Sequence, residues 1–142
     1  MKPLKASLLI AVLLLAQALI IVSAQGKTTL DGIYTEAQAA RGQKIYAESC
    51  SGCHGDDLSG SGQAPALTGK EFNMDWIDLA MSDLYDRTSG TMPADKPGTL
   101  KPDQAADVIA YLLQKGSFPA GQSELPTDSA ALKNIKFVAP KP

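Results

Sequence analysis

The chain has 142 residues, 44% hydrophobic and 6% aromatic, with 13 basic and 15 acidic groups for a net charge of −2. That balance supplies no basic stripe to neutralise phosphates, which argues against a nucleic-acid partner. The length suits one small domain, and a domain this size buries little core of its own, so a disulfide, metal or cofactor is expected to complete it.

Residues 1–24 read as a secretory signal peptide. Lys2 and Lys5 form a basic head, Leu8–Val22 is apolar except for Gln17, and Val22-Ser23-Ala24 places small residues before a cut at Gln25. The alternative is an uncleaved membrane anchor, although the run falls short of the ~20 residues a bilayer span needs. On either reading the rest of the chain is exported, in a bacterium to the periplasm. Without Lys2 and Lys5 it carries 11 basic and 15 acidic groups.

Residues 25–34 read as an extended or mobile N-terminal lead-in, and 35–116 as the domain core. Thr35-Glu36-Ala37-Gln38 has the form of a capping box, the Thr35 hydroxyl and the Gln38 side chain each satisfying an orphan amide. A first helix then runs up to the cysteines, with Ala39, Gly42, Tyr46 and Cys50 along one face. Gly55–Gly69, interrupted by Gly60, Gly62 and Pro65, is a long loop.

A second helix is predicted over Trp76–Ser89, with Ile77, Leu79, Ala80, Met81 and Leu84 as its apolar stripe. Ser89–Pro102, with three prolines and two glycines, predicts an irregular loop. The third helix has the clearest pattern, Ala105, Val108, Ile109, Leu112 and Leu113, with Pro102 in its first turn and Gly116 at its stop. Residues 117–142 form a C-terminal extension packed on the domain, over the cofactor-bearing face or simply over core, with one short helix within Thr127–Ile135. No period-2 run predicts a strand. The fold class is therefore all-α, about three main helices.

Both cysteines and the single histidine fall within five positions, as Cys50-Ser51-Gly52-Cys53-His54. A structural zinc site needs four ligands and finds three here. A redox disulfide suits an exported chain, but a thioredoxin-like pair belongs in a βαβ context that the pattern lacks. Covalent attachment of one c-type haem accounts for all three residues. Two thiols a helical turn apart reach the vinyl groups on one porphyrin edge, and the adjacent imidazole ligates the iron.

With one histidine, a bis-histidine haem cannot form within the chain. The sixth position falls to methionine, another side chain, water, or nothing. Met81 lies at helical spacing and reads as core filler, as does Met74 beside Phe72. Met92, next to Pro93 in the irregular loop, is the candidate axial ligand. A His54/Met92 pair fills both axial positions and describes a one-electron carrier, not an enzyme. A gas sensor with labile Met92 and a thiol–disulfide protein are the rival readings. Trp76 could donate to a haem propionate or wedge into the core. Arg87 could pair with a propionate, though a solvated role is favoured, and Asp56 and Asp57 read as solvated loop residues.

With these residues in place the chain resembles a class I monohaem c-type cytochrome. "RGQKIYAESCSGCHG" carries that family's glycine and aromatic residue before the haem motif, at Gly42 and Tyr46. The resemblance implies that the C-terminal helix crosses at Gly42, with Val108 and Tyr111 packed there. It also implies that the Pro65 carbonyl accepts a hydrogen bond from the non-ligating His54 nitrogen. "DGIYTEAQAARGQ", "TMPADKPGTL" and "FPAGQSELP" are similar to bacterial cytochromes associated with pyrroloquinoline-quinone dehydrogenases. That implies redox partners: a dehydrogenase as donor, and an oxidase or another cytochrome as acceptor.

Overall fold

The computed structural model describes residues 26–62 and 64–141; the predicted signal segment lies outside them. In chain order they form β1 (Lys27–Thr28), α1 (Glu36–Ser49), α2 (Ser51–His54), α3 (Gly69–Trp76), α4 (Met81–Thr91), α5 (Pro102–Lys115), α6 (Ser129–Leu132) and β2 (Ile135–Lys136). The fold is all-α apart from these two short strands. No helix among the described residues is long and apolar enough to cross a membrane.

Helices α1 and α5 make the central crossing. A Cβ on Gly42 would lie 1.8 Å from the Asp107 carbonyl oxygen, so hydrogen alone lets the two backbones approach this closely. Beside that contact the Tyr46 and Tyr111 rings sit 5.3 Å apart, tilted by 52°. The Arg41 guanidinium reaches across the crossing to buried Asp107 through two 2.8 Å bonds and to Glu124 at 3.0 Å. Helix α5 is buried along its whole middle, Ala105 to Leu113, with α1 and α4 packed against it.

Half of the predicted capping box forms. The Thr35 hydroxyl accepts from the Gln38 amide at 3.1 Å. The Gln38 side chain, however, turns away to the backbone of Leu125, donating to its carbonyl (3.2 Å) and accepting from its N–H (2.7 Å). Gln38 is buried, and its amide satisfies a donor and an acceptor that would otherwise be stranded in the interior.

The helix predicted over Trp76–Ser89 begins only at Met81; Trp76 closes a separate helix, α3, and residues 77–80 break between the two. Ile77 is extended and Asp78 has φ +68°. The backbone here pairs with β2 instead: Asp78 N–H donates to Phe137 (3.0 Å), and Phe137 N–H donates to Leu79 (2.8 Å). Ile77 and Leu79 consequently stay 48% and 43% exposed, while Met81 and Leu84 enter the core. Helix α4 also continues past Ser89 to Thr91, and Met92 caps it, so the irregular loop begins at Pro93.

The lead-in is extended only at Lys27–Thr28, turns over 29–31, and is anchored. β1 pairs in parallel with β2, Lys27 opposite Ile135 and Thr28 opposite Lys136. Buried Thr29 exchanges two bonds with the Val138 backbone, and the Tyr34 hydroxyl donates to Phe118 at 2.8 Å. The short C-terminal helix is a single turn, α6, capped by Asp128. Phe118, Leu125, Leu132, Ile135 and Phe137 are all buried, Phe137 edge-on to Phe72 at 6.0 Å. The extension covers core.

Candidate haem site

Helix α1 ends at Ser49, and the chain turns at Cys50 into the one-turn helix α2, which carries Cys53 and His54. Three hydrogen bonds pin this turn from outside. The Tyr46 hydroxyl donates to the Gly55 carbonyl (2.6 Å), the Ser61 hydroxyl donates to the Cys53 carbonyl (2.6 Å), and His54 Nδ1 donates to the Pro65 carbonyl (2.8 Å). Gly60, at φ +78°, allows the loop to fold back: a Cβ there would meet the Ala64 carbonyl at 2.5 Å. With Nδ1 committed to Pro65, His54 Nε2 has no hydrogen-bond partner among the described residues.

These residues border a cavity of about 550 Å³. Cys50, Cys53, His54 and Pro65 line it, and so do Met92, Trp76 and Arg87. Phe72, Leu84, Val108 and Leu112 supply much of its apolar wall. Every candidate site residue thus meets in one chamber of a size that suits a small-molecule or cofactor ligand.

The cysteines are free rather than paired, Cys50 half-buried and Cys53 exposed. Burial pushes the Cys50 thiol up to about 11, with the Cys53 charge adding to the rise. A thiol held protonated at neutral pH is a poor redox nucleophile, which weighs against a thioredoxin-like role. Two thiols on one lip, an unpartnered imidazole nitrogen, a thioether and apolar walls suit a flat macrocycle with a ligatable metal centre. The residues present fit a haem.

The three methionines separate clearly. Met81 is completely buried on α4, as expected of core filler. Met74 is 65% exposed, which corrects its reading as a filler beside Phe72: α3 turns it outward while Phe72 alone points in. Met92 alone lines the cavity. Trp76 is half-buried on the cavity wall, its ring 6.2 Å from Phe72. It closes α3 rather than opening α4. Arg87 is exposed at the cavity margin. Asp56 and Asp57 are exposed, the Asp57 carboxylate held below its usual range by bonds from the Ser59 hydroxyl and amide. Sequence reasoning missed the Tyr46 and Ser61 hydroxyls as props of the haem motif. Only their placement on carbonyls across the loop reveals them.

Residues 37–112 match the family described as cytochrome c oxidase, cbb3-type, subunit III. The chain belongs to this family of c-type cytochrome domains, and its cofactor is covalently attached haem c. It is 32% identical over 92 residues to cytochrome c-551 of Bacillus subtilis (strain 168), an alignment spanning 65% of this chain and 77% of that protein. It is 39% identical over 85 residues to thiosulfate dehydrogenase of Stutzerimonas stutzeri (strain A1501), spanning 51% of this chain but only 26% of that enzyme. Among solved structures, the sulfane dehydrogenase SoxCD of Paracoccus pantotrophus aligns over 76% of this chain and 62% of its own, with TM-score 0.47 and 18% identity.

Proposed function

We propose that this chain is a one-electron carrier whose haem iron is held between His54 and Met92. The single observation that supports this best is that His54 and Met92, remote in sequence, line one apolar cavity beside both cysteines. When bound, the haem supplies an iron centre that exchanges one electron without bond making to a substrate. Cys50 and Cys53 tether it as thioethers, so it cannot dissociate from a small domain. The Pro65 carbonyl fixes the His54 ring and raises its basicity by accepting a hydrogen bond from Nδ1–H. Met92 offers a soft donor that favours the reduced metal and raises the potential. With both axial positions filled by protein, no site is left for a substrate, which is why we read the chain as a carrier and not an enzyme. Phe72, Leu84, Val108 and Leu112 exclude water. On this reading Trp76, on the cavity wall, donates to a propionate, while Arg87, exposed at the cavity margin, stays solvated.

The donor on this reading is a periplasmic dehydrogenase and the acceptor an oxidase or second cytochrome. Export through residues 1–24 supports that compartment, since thioether attachment of haem belongs outside the cytoplasm. A domain of this kind matching part of a thiosulfate dehydrogenase supports a dehydrogenase as partner. The pyrroloquinoline-quinone type rests on sequence resemblance.

The test is a spectrum of the purified chain from a maturation-competent host, with its intact mass. Haem mass with no free thiol, and in the oxidised state the weak far-red band of an iron–thioether bond, are the expected results. Rapid carbon monoxide binding by the reduced protein would point to the gas sensor instead. Free thiols and no haem would leave a thiol–disulfide protein.

A further inference from the structure

Helix α2 stops at His54, so the carbonyls of Cys53, His54 and Gly55 come at its end, where helical partners run out. All three are met by donors from elsewhere. The Ser61 hydroxyl donates to Cys53 (2.6 Å) and the Gly60 N–H to His54 (2.9 Å). The Tyr46 hydroxyl donates to Gly55 (2.6 Å), which also accepts from the Leu58 N–H at 3.2 Å. The two hydroxyls therefore grip the residues on either side of the histidine.

They reach this place from different parts of the chain. Tyr46 lies buried on α1, its ring held against Tyr111 where α1 and α5 cross. Ser61 is exposed, on the loop that folds back at Gly60. Packing alone asks for neither hydroxyl: phenylalanine fills the same ring volume at position 46, and alanine suffices at an exposed loop position. What the hydroxyls add is a fixed backbone on both sides of His54 and the positive end of an O–H dipole on two carbonyl oxygens.

Resting on the reading of His54 as an iron ligand, we infer that Tyr46 and Ser61 are positioning residues that hold the reduction potential up. Negative carbonyl oxygens beside an iron ligand favour the more positive, oxidised metal. Hydrogen bonds that offset their charge favour the reduced state instead. This opposes the Pro65 bond, which makes the His54 ring more basic and so favours oxidised iron. The backbone grip and the Nδ1 bond together set the plane of the imidazole. Tyr46 also ties the α1–α5 crossing to the iron, since its ring belongs to one and its hydroxyl serves the other.

The test is equilibration of the haem-loaded chain with a redox dye of fixed potential, together with proton NMR of the oxidised haem methyl groups, whose shifts report the imidazole plane. Tyr46→Phe should move the reduced-to-oxidised ratio toward the oxidised form by about three-fold or more and displace the methyl shifts. Ser61→Ala should act in the same direction but less, because water reaches an exposed site, and Ser61→Thr should restore the parent values. Tyr85→Phe is the control. Its hydroxyl donates to the Thr127 carbonyl at 2.7 Å, away from the haem cavity, so its loss should lower the unfolding midpoint and leave potential and methyl shifts alone. Parent-like values in Tyr46→Phe and Ser61→Ala, a raised potential in either, or an equal change in Tyr85→Phe would overturn the inference. The far-red band of the parent chain reports Met92 ligation by itself, so failure of the carrier reading shows in the parent and failure of this inference only in the variants.

Discussion

At the scale of single residues, three methionines in one small domain take three different fates. Met92→Ala should leave haem covalently attached while opening the iron, seen as carbon monoxide binding and loss of the far-red band, with a lower potential. Met81→Ala should cost about 2–5 kcal/mol by emptying core volume and leave the iron closed, measured by thermal unfolding of the haem-loaded chain. If Met81→Ala opened the iron and Met92→Ala did not, the axial assignment would be wrong. Gln38→Ala should cost about 1–3 kcal/mol, since it strands both backbone groups of Leu125 in the interior. The haem motif was legible from residue type and scarcity, which named Met92 only as a candidate. Gln38 was legible only as a cap residue, because its true partner lies 87 positions away.

Among the elements, α1 and α5 show how a sequence pattern and a crossing agree. The 3.6-residue repeat of α5 and the Gly42–Tyr46 spacing on α1 are local facts, and each describes a face that has to be covered. Gly42→Ala would drive a methyl group into the Asp107 carbonyl, so the helices should separate and the unfolding midpoint should fall by several degrees. The α3–α4 region shows the reverse. Ile77 and Leu79 continue a helical apolar stripe on paper, yet their backbone serves as an edge for β2. A single-sequence pattern carries no information about a strand that arrives from nearly sixty positions downstream, as it does here between Asp78 and Phe137. Local propensity yields to such pairing because the energetic difference per residue is small.

For the molecule as a whole, burial of tyrosines sets a limit at high pH. Burial pushes the Tyr34 and Tyr46 hydroxyls up to about 12, from an ordinary value of 10. The folded state therefore keeps protons that the unfolded chain releases first. Their contribution is complete below pH 10 and is lost as pH rises toward 12. Thermal midpoints of the haem-loaded chain should accordingly hold steady to about pH 10 and fall above it; a midpoint that rises there would contradict the burial argument. Removing residues 117–142 should unfold the domain even with haem attached. It removes the buried side chains of Phe118, Leu125, Leu132, Ile135 and Phe137 from the core, at about 1.5–3 kcal/mol apiece, a sum comparable to the ~5–15 kcal/mol stability of a whole domain. Circular dichroism of the truncated chain checks this. Electron exchange with a basic redox partner should slow as salt is raised, because the chain's net charge is negative.

The sequence by itself determined the cofactor and how it is tied. Attachment chemistry needs particular atoms at short spacing, and Cys50, Cys53 and His54 lie within a single turn of backbone. It also determined that α5 exists and which side faces inward, since periodicity is a property of consecutive residues. Only the tertiary structure decided that Met92 shares a chamber with His54, that the lead-in and the C-terminal extension knit together through β1 and β2, and that residues 77–80 leave the helix to join them. Those outcomes depend on contacts between distant segments, whose closure is favoured by the burial of Tyr34, Phe118 and Phe137 together. No local stretch of the chain contains that information, because its energy resides in surfaces that do not exist until both sides have folded.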